Sequence, residues 1–229
     1  MIKNNLFLLY LAIIIFDCGK EPINYEKSLN IRDGVYYTKD TNEPYNGPVY
    51  SIYKSGEIKT EGTFKNGKVH GLSTDRYKNN KKKSELNFKN GLNHGLQTFW
   101  YESGEKKEEL NYIDGLRNGK WTTWYRNGKK KREGTFQSDI QNGLWTAWYK
   151  NGQKEEEGKF KKGKMDGWIL GWYENGKNKY KSNYKNGKQD GIKIVWHKNG
   201  EKYFEKKFEN GELVFEKVWN KDGSLKNDK

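Results

Sequence analysis

The sequence predicts an all-β protein: one elongated, twisted antiparallel sheet of consecutive β-hairpins, preceded by a signal-peptide helix. Three observations predict this fold class. A 24-residue period runs from Gly47 to about Gly211 without an insertion, glycines recur at fixed positions in each period, and aromatic residues recur between the glycines. Short strands rich in Trp, Tyr, Phe and Thr, bounded by Gly and Asn-Gly, are typical of hairpins. A helical solenoid would need longer stretches without glycine.

The composition indicates a folded chain with a thin core and a wet surface. Hydrophobic residues make up 32% of the 229 residues, and the mean hydropathy of -1.20 alone would favour disorder. The chain nevertheless carries 9 Trp, 16 Tyr and 10 Phe, the residues that disordered segments usually lack. Because aromatic side chains stabilise pleated faces, such a chain can build a sheet with few Leu, Ile and Val.

The N-terminus predicts export. The apolar run Leu6–Phe16 has the length of a signal-peptide core and is shorter than the ~20 residues that a membrane span needs. Cys18, the only cysteine, follows directly and resembles the lipidated cysteine of bacterial lipoproteins, although Phe16 and Asp17 stand where small residues are usual. The leading expectation is a membrane-anchored lipoprotein of the bacterial cell envelope. An ordinary cleaved signal and an uncleaved anchor are the alternatives.

Three glycine columns divide the repeat, and we expect all three to mark turns. The first column is Gly47, Gly71, Gly95, Gly119, Gly143, Gly167 and Gly191. The second is Gly56, Asn80, Gly104, Gly128, Gly152, Gly176 and Gly200. The third is Gly67, Gly91, Gly115, Asp139, Gly163, Gly187 and Gly211. The two exceptions, Asn80 and Asp139, are residue types that tolerate left-handed backbone.

Aromatic columns fill the predicted strands. The first strand of each unit ends in a Trp column (Ile52, Arg76, Trp100, Trp124, Trp148, Trp172, Trp196) followed by a Tyr column (Tyr53, Tyr77, Tyr101, Tyr125, Tyr149, Tyr173, His197). The second strand ends in a Phe column (Phe64, Phe88, Tyr112, Phe136, Phe160, Tyr184, Phe208). Each unit is therefore expected to be one hairpin of two strands of five to seven residues.

The columns set the expected boundaries of the chain. Residues 1–17 are expected to be the signal peptide, 18–32 a linker after a lipidated Cys18, and 33–46 an N-terminal lead-in or cap. Seven repeats occupy 47–214. Since the first glycine column ends at Phe215 and Gly223 is out of register, residues 215–229 are expected to form a C-terminal cap and tail.

A Glu column precedes the Phe column by three residues: Glu61, Glu85, Glu109, Glu133, Glu157 and Glu205, with Lys181 in unit six. Flanked by lysines, it is typical of a cross-strand salt-bridge ladder and not of catalytic carboxylate pairs. The next residue is often small, as at Gly62, Gly134 and Gly158. We expect a neighbouring ring to lie across the backbone there, with the Glu on the opposite face.

The sequence predicts neither an enzyme nor a cofactor. No Ser/His/Asp or Cys/His set is available, because the chain has three His and its one Cys is the expected anchor. His70 and His94 share a column with Asn118, Asn142, Asp166 and Asp190, which favours polar turn residues over a metal pair. Only five of the 44 basic residues are Arg, so the net charge of +14 points away from nucleic acid.

Segments 119–129 and 143–153, Gly-Lys-Trp-Thr-Thr-Trp-Tyr-Arg-Asn-Gly-Lys and Gly-Leu-Trp-Thr-Ala-Trp-Tyr-Lys-Asn-Gly-Gln, resemble the MORN-repeat variant family. The lead-in 36–47 also resembles bacterial members, and the resemblance covers about residues 34–215. It implies an elongated sheet of consecutive hairpins. Bacterial secreted members are often described as antitoxin or immunity components of toxin systems, which implies a protein partner such as a toxin.

The tryptophans are the candidate site. Trp121 and Trp145 lie three residues before Trp124 and Trp148, so an extended strand would point the two Trp of a unit to opposite faces. Both faces are either covered by neighbouring rings and Lys/Glu stems, or they present a binding surface. The candidate surface comprises Trp100, Tyr101, Trp121, Trp124, Tyr125, Trp145, Trp148, Tyr149, Trp172 and Tyr173.

The leading hypothesis is an envelope-anchored, non-enzymatic protein that binds a protein partner, in the manner of an antitoxin or immunity protein, through an aromatic sheet face. The alternative is a structural envelope protein that binds anionic lipid or polysaccharide. Nucleic acid is not an expected partner. The open edges of such a sheet also leave a homodimer as an expectation.

Overall fold

The computed structural model describes residues 19–226, and strands dominate them. The elements in chain order are β1 (Ile23–Asn24), α1 (Tyr25–Ser28), β2 (Leu29–Arg32), β3 (Val35–Thr38), β4 (Gly47–Ile52), β5 (Ile58–Lys65), β6 (Lys68–Val69), β7 (Gly71–Arg76), β8 (Lys82–Lys89), β9 (Leu92–Trp100), β10 (Lys106–Ile113), β11 (Leu116–Trp124), β12 (Lys130–Gln137), β13 (Ile140–Trp148), β14 (Lys154–Lys161), β15 (Lys164–Trp172), β16 (Asn178–Lys185), β17 (Lys188–Trp196), β18 (Lys202–Glu209) and β19 (Glu212–Val218). The predicted all-β fold is confirmed. The predicted signal-peptide helix and Cys18 lie outside the described residues.

One long open sheet contains every strand from β4 to β19, and each row of the sheet is antiparallel to the row before it in the chain. β6 and β7 are two parts of one row, since both pair with β5. β1 adds a short parallel strand to β4 at the N-terminal edge. Most rows have eight or nine residues, longer than the five to seven predicted.

The first glycine column explains the extra length, because it lies within strands and does not mark turns. Gly119 (φ 98°) lies inside β11. Between the pairs Leu110–Trp121 and Tyr112–Arg117, β10 has one residue and β11 has three. This mismatch is a β-bulge, where a positive φ is common and glycine is favoured. The prediction that all three columns mark turns is therefore wrong for the first. The sequence shows that a position tolerates positive φ, but not whether the chain reverses there.

The other two columns do mark turns. Asn66 (φ 50°) and Gly67 (φ 70°) form a two-residue turn between the paired residues Lys65 and Lys68, with the positive φ at both central positions that a type I′ turn requires. Successive turns of this kind are joined, since the Gly91 N–H donates to the Val69 carbonyl at 2.8 Å. At the opposite ends of the strands, each residue of the Tyr column begins a turn. The residue of the second glycine column closes it, as where the Gly56 N–H donates to the Tyr53 carbonyl at 2.9 Å.

The Tyr column also links neighbouring units. Each hydroxyl donates to the main-chain carbonyl of the residue 23 positions later, at 2.7 to 2.8 Å: Tyr53 to Arg76, Tyr77 to Trp100, Tyr101 to Trp124, Tyr125 to Trp148, Tyr149 to Trp172 and Tyr173 to Trp196. These bonds satisfy carbonyls at the strand ends. They hold each hairpin to the next along the whole sheet.

The two faces of the sheet differ. We call the face that carries the Phe column the Phe face, and the face that carries the Glu column the Glu face. Cross-strand partners share a face, so Phe136 lies with Gly119, and Gly134 with Trp121, while Glu133 lies with Thr122 on the other side. This confirms that Glu points away from the small residue beside it.

The Phe face is a core formed by a single layer. Phe136 is only 7% exposed, although within residues 19–226 a second layer covers only the N-terminal end of this face. Rings of neighbouring strands cover it: a Cβ on Gly134 would lie 2.3 Å from Cδ2 of Trp145. The expectation that a ring lies across the small residue is confirmed here. Glycine is required because the ring occupies the space of its side chain.

A small cap covers the Phe face of unit one. α1 and the β2–β3 hairpin bring the Tyr36 ring to 4.6 Å from the Phe64 ring, and Leu29 and Val49 are buried in the same cluster. The predicted linker 18–32 is therefore wrong from Ile23 onward, where β1 begins. Its scattered apolar residues have no regular spacing, so their burial becomes visible only when the cap packs on the sheet.

The last strand extends the repeat past the expected boundary at residue 215. Asn220 and Gly223 form the same turn as the Tyr and Gly columns, with the Asn220 N–H donating to the Ser224 carbonyl at 2.8 Å and the Gly223 N–H donating to the Asn220 carbonyl at 3.1 Å. The columns arrive one residue early because the β19 bulge has one extra residue instead of two. Between residues 19 and 226, no helix is long and apolar enough to cross a membrane.

Candidate interaction surface

The ten residues predicted as a binding surface lie in three separate places, and all ten are half-buried. Trp121 and Trp145 lie on the Phe face. The Glu face carries Trp100, Trp124, Trp148 and Trp172. The four tyrosines lie at the turn edge, with their hydroxyls bonded to the next unit. The predicted opposite orientation of the two Trp in a unit is confirmed, but the ten residues do not form one surface.

Trp121 and Trp145 belong to the single-layer core. Their ring centres are 5.3 Å apart, and Phe136 packs edge-on against Trp145 at 5.0 Å. The Trp121 Nε1–H donates to Glu108 at 2.7 Å. The equivalent of Glu108 in the next unit is Arg132, which cannot accept, and the buried Trp145 Nε1 has no partner among the described residues. These rings therefore stabilise the fold.

On the Glu face, five tryptophans are each covered by a lysine that also pairs with a glutamate. Lys106 Nζ lies 5.8 Å from the Trp124 ring centre and 2.5 Å from a Glu109 oxygen. The same arrangement recurs at Trp100 with Lys82 and Glu85, at Trp148 with Lys130 and Glu133, at Trp172 with Lys154 and Glu157, and at Trp219 with Lys202 and Glu205. Each lysine therefore makes a cation–π contact with a ring and an ion pair with a carboxylate.

The prediction that the Glu column forms a cross-strand salt-bridge ladder is therefore wrong for the recurring pair. The recurring ion pair joins residues i and i+3 of one strand, and the cross-strand pair Lys120–Glu133 at 3.1 Å is an addition in unit four. In a regular strand, i and i+3 would face opposite sides. A bulge at Lys131 turns Lys130 onto the face of Glu133, because Trp124 pairs with Lys130 while Thr123 pairs with Arg132.

Glu133 shows the electrostatic result. Partial burial opposes its ionisation, but hydrogen bonds and charge from Lys130 and Lys120 outweigh that effect, so its pKa lies below the ordinary value of 4.5. The carboxylate is therefore ionised and neutralised by lysine near pH 7. Lys82, Lys106, Lys154 and Lys202 are each paired with a glutamate in the same way.

The column that contains His70 and His94 stabilises turns by accepting hydrogen bonds from backbone N–H groups. The Nδ1 atoms of His70 and His94 accept from the backbone N–H groups of Asn90 and Asp114, at 3.3 and 3.4 Å. Asp166 and Asp190 accept equivalent N–H groups at 3.4 Å. In residues 19–226, no group of three or more His, Cys, Asp or Glu is placed to hold a metal ion.

The regular pattern of the Glu face is interrupted in unit six and resumes with Lys202 and Glu205 in unit seven. Asn178 and Lys181 occupy the positions of the covering Lys and its Glu. Lys181 has moved to another ring, with its Nζ 4.1 Å from the centre of Trp168. Trp168 is 45% exposed, more than any of the ten predicted residues.

Apolar side chains surround Trp168 on this face. Leu144 and Ile192 are exposed at the equivalent positions of units five and seven, and Leu170 and Ile194 replace the threonines of earlier units. We call these five residues the Trp168 patch. Three lysines line it: Lys159 opposite Leu144, Lys181 between Leu170 and Ile194, and Lys207 opposite Ile192.

Sequence reasoning missed Trp168 because no other unit has an aromatic residue in this column, where Pro, Leu, Lys or Ile stands. The available signal was the exception in the Glu column. Lys181 breaks an otherwise acidic column, and the aromatic exception Trp168 belongs to the same unit. Two exceptions in one unit of a regular repeat indicate a local change in the surface.

No curated protein matches this chain. A family model described as MORN repeat variant matches residues 45–66, 69–90, 93–114, 117–138 and 141–162. The hairpins that follow, from β15 to β18, continue the same register and the same Tyr hydroxyl bonds. The chain therefore belongs to the MORN repeat variant family.

Proposed function

We propose that this chain is a non-enzymatic binding protein of the cell envelope, and that the Trp168 patch docks an acidic, partly apolar surface of a partner protein. One observation carries the proposal. The Lys–Glu pairing that covers the Glu face is interrupted in unit six, where Trp168 is 45% exposed beside Lys159 and Lys181, and neither lysine has an ion pair among the described residues.

The composition of the patch fits a protein interface. Such interfaces have an apolar centre with aromatic hot spots and a polar rim. Trp168 and its apolar neighbours would form the centre here. Lysines at the rim would favour an acidic partner and increase its association rate.

The alternative partner is anionic lipid or polysaccharide, and the net charge of +14 favours it. Binding to a lipid surface typically uses a cluster of ~4–8 available basic residues. Glutamates pair with Lys82, Lys106, Lys130, Lys154 and Lys202 on the Glu face. Because those charges are already balanced, a localised protein contact fits this face better than a broad electrostatic one.

A reversion to the repeat pattern tests the site. In the double variant Trp168→Leu/Lys181→Glu, both positions carry residues that other units use, so we expect normal folding. Partners are identified with the full-length wild-type protein in an envelope fraction and then purified. We expect the double variant to bind them roughly 10- to 30-fold more weakly.

The matched control is Leu96→Ala, which removes an exposed side chain from the same column in unit three. It should bind like wild type. Equal affinity of wild type and the double variant would contradict the site. Salt-sensitive binding of the wild type to phosphatidylglycerol vesicles, with no protein partner, would favour the lipid alternative.

Envelope attachment through Cys18 is part of the proposal. Only Gly19–Pro22 separate Cys18 from β1, so an acylated Cys18 would hold the sheet within roughly 20 Å of the bilayer surface. Mass spectrometry of the N-terminal peptide should show a diacylated cysteine, and Cys18→Ser should release the protein from membranes. An unmodified Cys18 in a membrane fraction would contradict the anchor.

The family resemblance implies a toxin as one partner of this kind, and we include it in the proposal. The test is co-expression with a toxin-like reading frame from the same gene neighbourhood. Wild-type protein should restore growth, and the double variant should not. Failure of the wild type to protect would remove the toxin from the proposal.

A further inference from the structure

We propose that the outer edge of β19 pairs with β19 of a second copy, so that two sheets join at their C-terminal ends as a twofold dimer. A sheet edge offers unpaired backbone N–H and C=O groups to another strand. The N-terminal edge strand of this sheet is covered, whereas the C-terminal edge strand is open along most of its length.

The N-terminal edge is closed. Ile23 and Asn24 of β1 pair with Val49 and Tyr50 of β4, and the cap packs beside them. At the other end, the Lys226 N–H donates to the Val218 carbonyl at 2.8 Å, which covers only the last residue of β19. Along Glu212–Lys217, no other strand of residues 19–226 lies on the outer side.

β19 also lacks the polar residues that other units carry at this position. Leu213, Val214 and Phe215 are 48%, 50% and 42% exposed. The corresponding residues of β17 are Gln189-Asp190-Gly191, and those of β15 are Met165-Asp166-Gly167. Native edges are usually protected by charge, proline or a covering element. An uncovered edge strand with three exposed apolar residues in its first half therefore indicates a pairing site.

The charge distribution favours a second copy as the occupant. Residues 201–229 contain seven Lys and seven Asp or Glu, so the net charge of +14 lies entirely within residues 1–200. Like-charged chains repel each other least where their local charge is zero. The C-terminal end is that place.

The closed N-terminal edge determines the symmetry. Head-to-tail stacking would need an open β4 edge, which β1 occupies. Antiparallel pairing of β19 with its own copy is isologous and stops at two chains. The axis would be perpendicular to the sheet, so both Phe faces would lie on one side and the two caps at opposite ends.

Sedimentation of the full-length chain over a concentration series tests the dimer. We expect a mass approaching twice 27.0 kDa. The edge variant Leu213→Lys/Phe215→Lys should shift the equilibrium to monomer by at least ~10-fold in Kd. Leu72→Lys/Leu96→Lys adds the same charge at similarly exposed positions of the Glu face and should remain dimeric.

A cross-link keeps the test valid if the edge variant folds poorly. In a Cys18→Ser background, Phe215→Cys should form a disulfide-linked dimer on mild oxidation, and Leu72→Cys should not. A wild-type chain that stays monomeric up to about 1 mM, where the association would be worth only ~4 kcal/mol, would overturn the proposal. So would masses that keep rising beyond two chains.

A foreign strand is the other possible occupant. A monomeric wild type that binds an extended peptide of its partner, when the edge variant does not, would replace the second copy with that strand. The dimer is independent of the Trp168 patch. Trp168→Leu/Lys181→Glu should therefore lose partner binding and keep the dimer mass, which separates failure of one proposal from failure of the other.

Discussion

The Phe face and the Glu face are made by the same strands, yet only the Phe face forms a core. On the Phe face, Trp145 lies across Gly134, and Phe136 is buried beside it. On the Glu face, Lys130 covers Trp148 while pairing with Glu133. A single layer can therefore bury one side when rings lie over glycines, whereas lysine stems leave the other side accessible.

The largest expected difference between the faces is the cost of removing a ring. Phe136→Ala should lower the free energy of unfolding by roughly 3–5 kcal/mol, because it opens a cavity in the single-layer core. Trp168→Ala, on the Glu face, should cost about 1 kcal/mol or less. Urea unfolding of both variants measures the difference. Equal losses would show that the two faces contribute equally to stability.

The next effect tests the contact between ring and glycine. Gly134→Ala should cost about 1–3 kcal/mol, because the new Cβ would overlap the Trp145 ring. Gly62→Ala is the matched control in the same column, where the nearest atom is Ser73 Oγ at 3.3 Å. It should cost less than about 1 kcal/mol. Thermal unfolding compares the two, and a neutral Gly134→Ala would contradict ring coverage.

The hydroxyl bonds of the Tyr column, at the turns between strands, should contribute less to the free energy of unfolding. Tyr125→Phe removes the hydroxyl bond to the Trp148 carbonyl and should cost about 1 kcal/mol. His197→Tyr should have the opposite sign. It restores the column and removes a buried Nε2 that has no partner among the described residues. Denaturant midpoints measure both, and a less stable His197→Tyr would argue against a continuous ladder.

The smallest effect concerns the ion pairs of the Glu face. The pKa of Glu133 is lowered in the folded state, so its stabilising contribution is present above the unfolded pKa and is lost as the pH falls through the folded pKa. Glu133→Gln should therefore cost roughly 0.5 kcal/mol at pH 7. The difference from wild type should shrink as the pH falls below the ordinary Glu value and through the lowered folded pKa, as unfolding at several pH values would show. A constant difference would exclude the ion pair as its cause.

Much of the fold could be predicted because its signals are local. Asn66-Gly67 specifies a tight turn by its φ angles, and alternation along a strand puts Trp121 and Trp124 on opposite faces. Two other predictions failed for lack of local signals. Gly119 tolerates a bulge as well as a turn, and Ile23 is apolar without a periodic neighbour.

The candidate site was less predictable from the sequence. The ten chosen aromatics were selected by type, and exposure depends on what the adjacent strand places above each ring. Trp168 differs from Trp172, four residues later. Lys154 covers Trp172 and pairs with Glu157, whereas Lys181 lies over Trp168 with no ion pair among the described residues, and Trp168 is 45% exposed. That difference arises between strands and is not visible within either one.

By itself, the sequence determined the 24-residue hairpin repeat, its turns and the two-sided alternation, because backbone φ preferences and strand periodicity act over a few residues. Only the tertiary structure decided which face is a core, where the bulges lie, that Trp168 is exposed and that β19 is uncovered. These properties depend on which side chains meet across neighbouring strands, and the contact of Trp145 with Gly134 shows how such contacts decide burial.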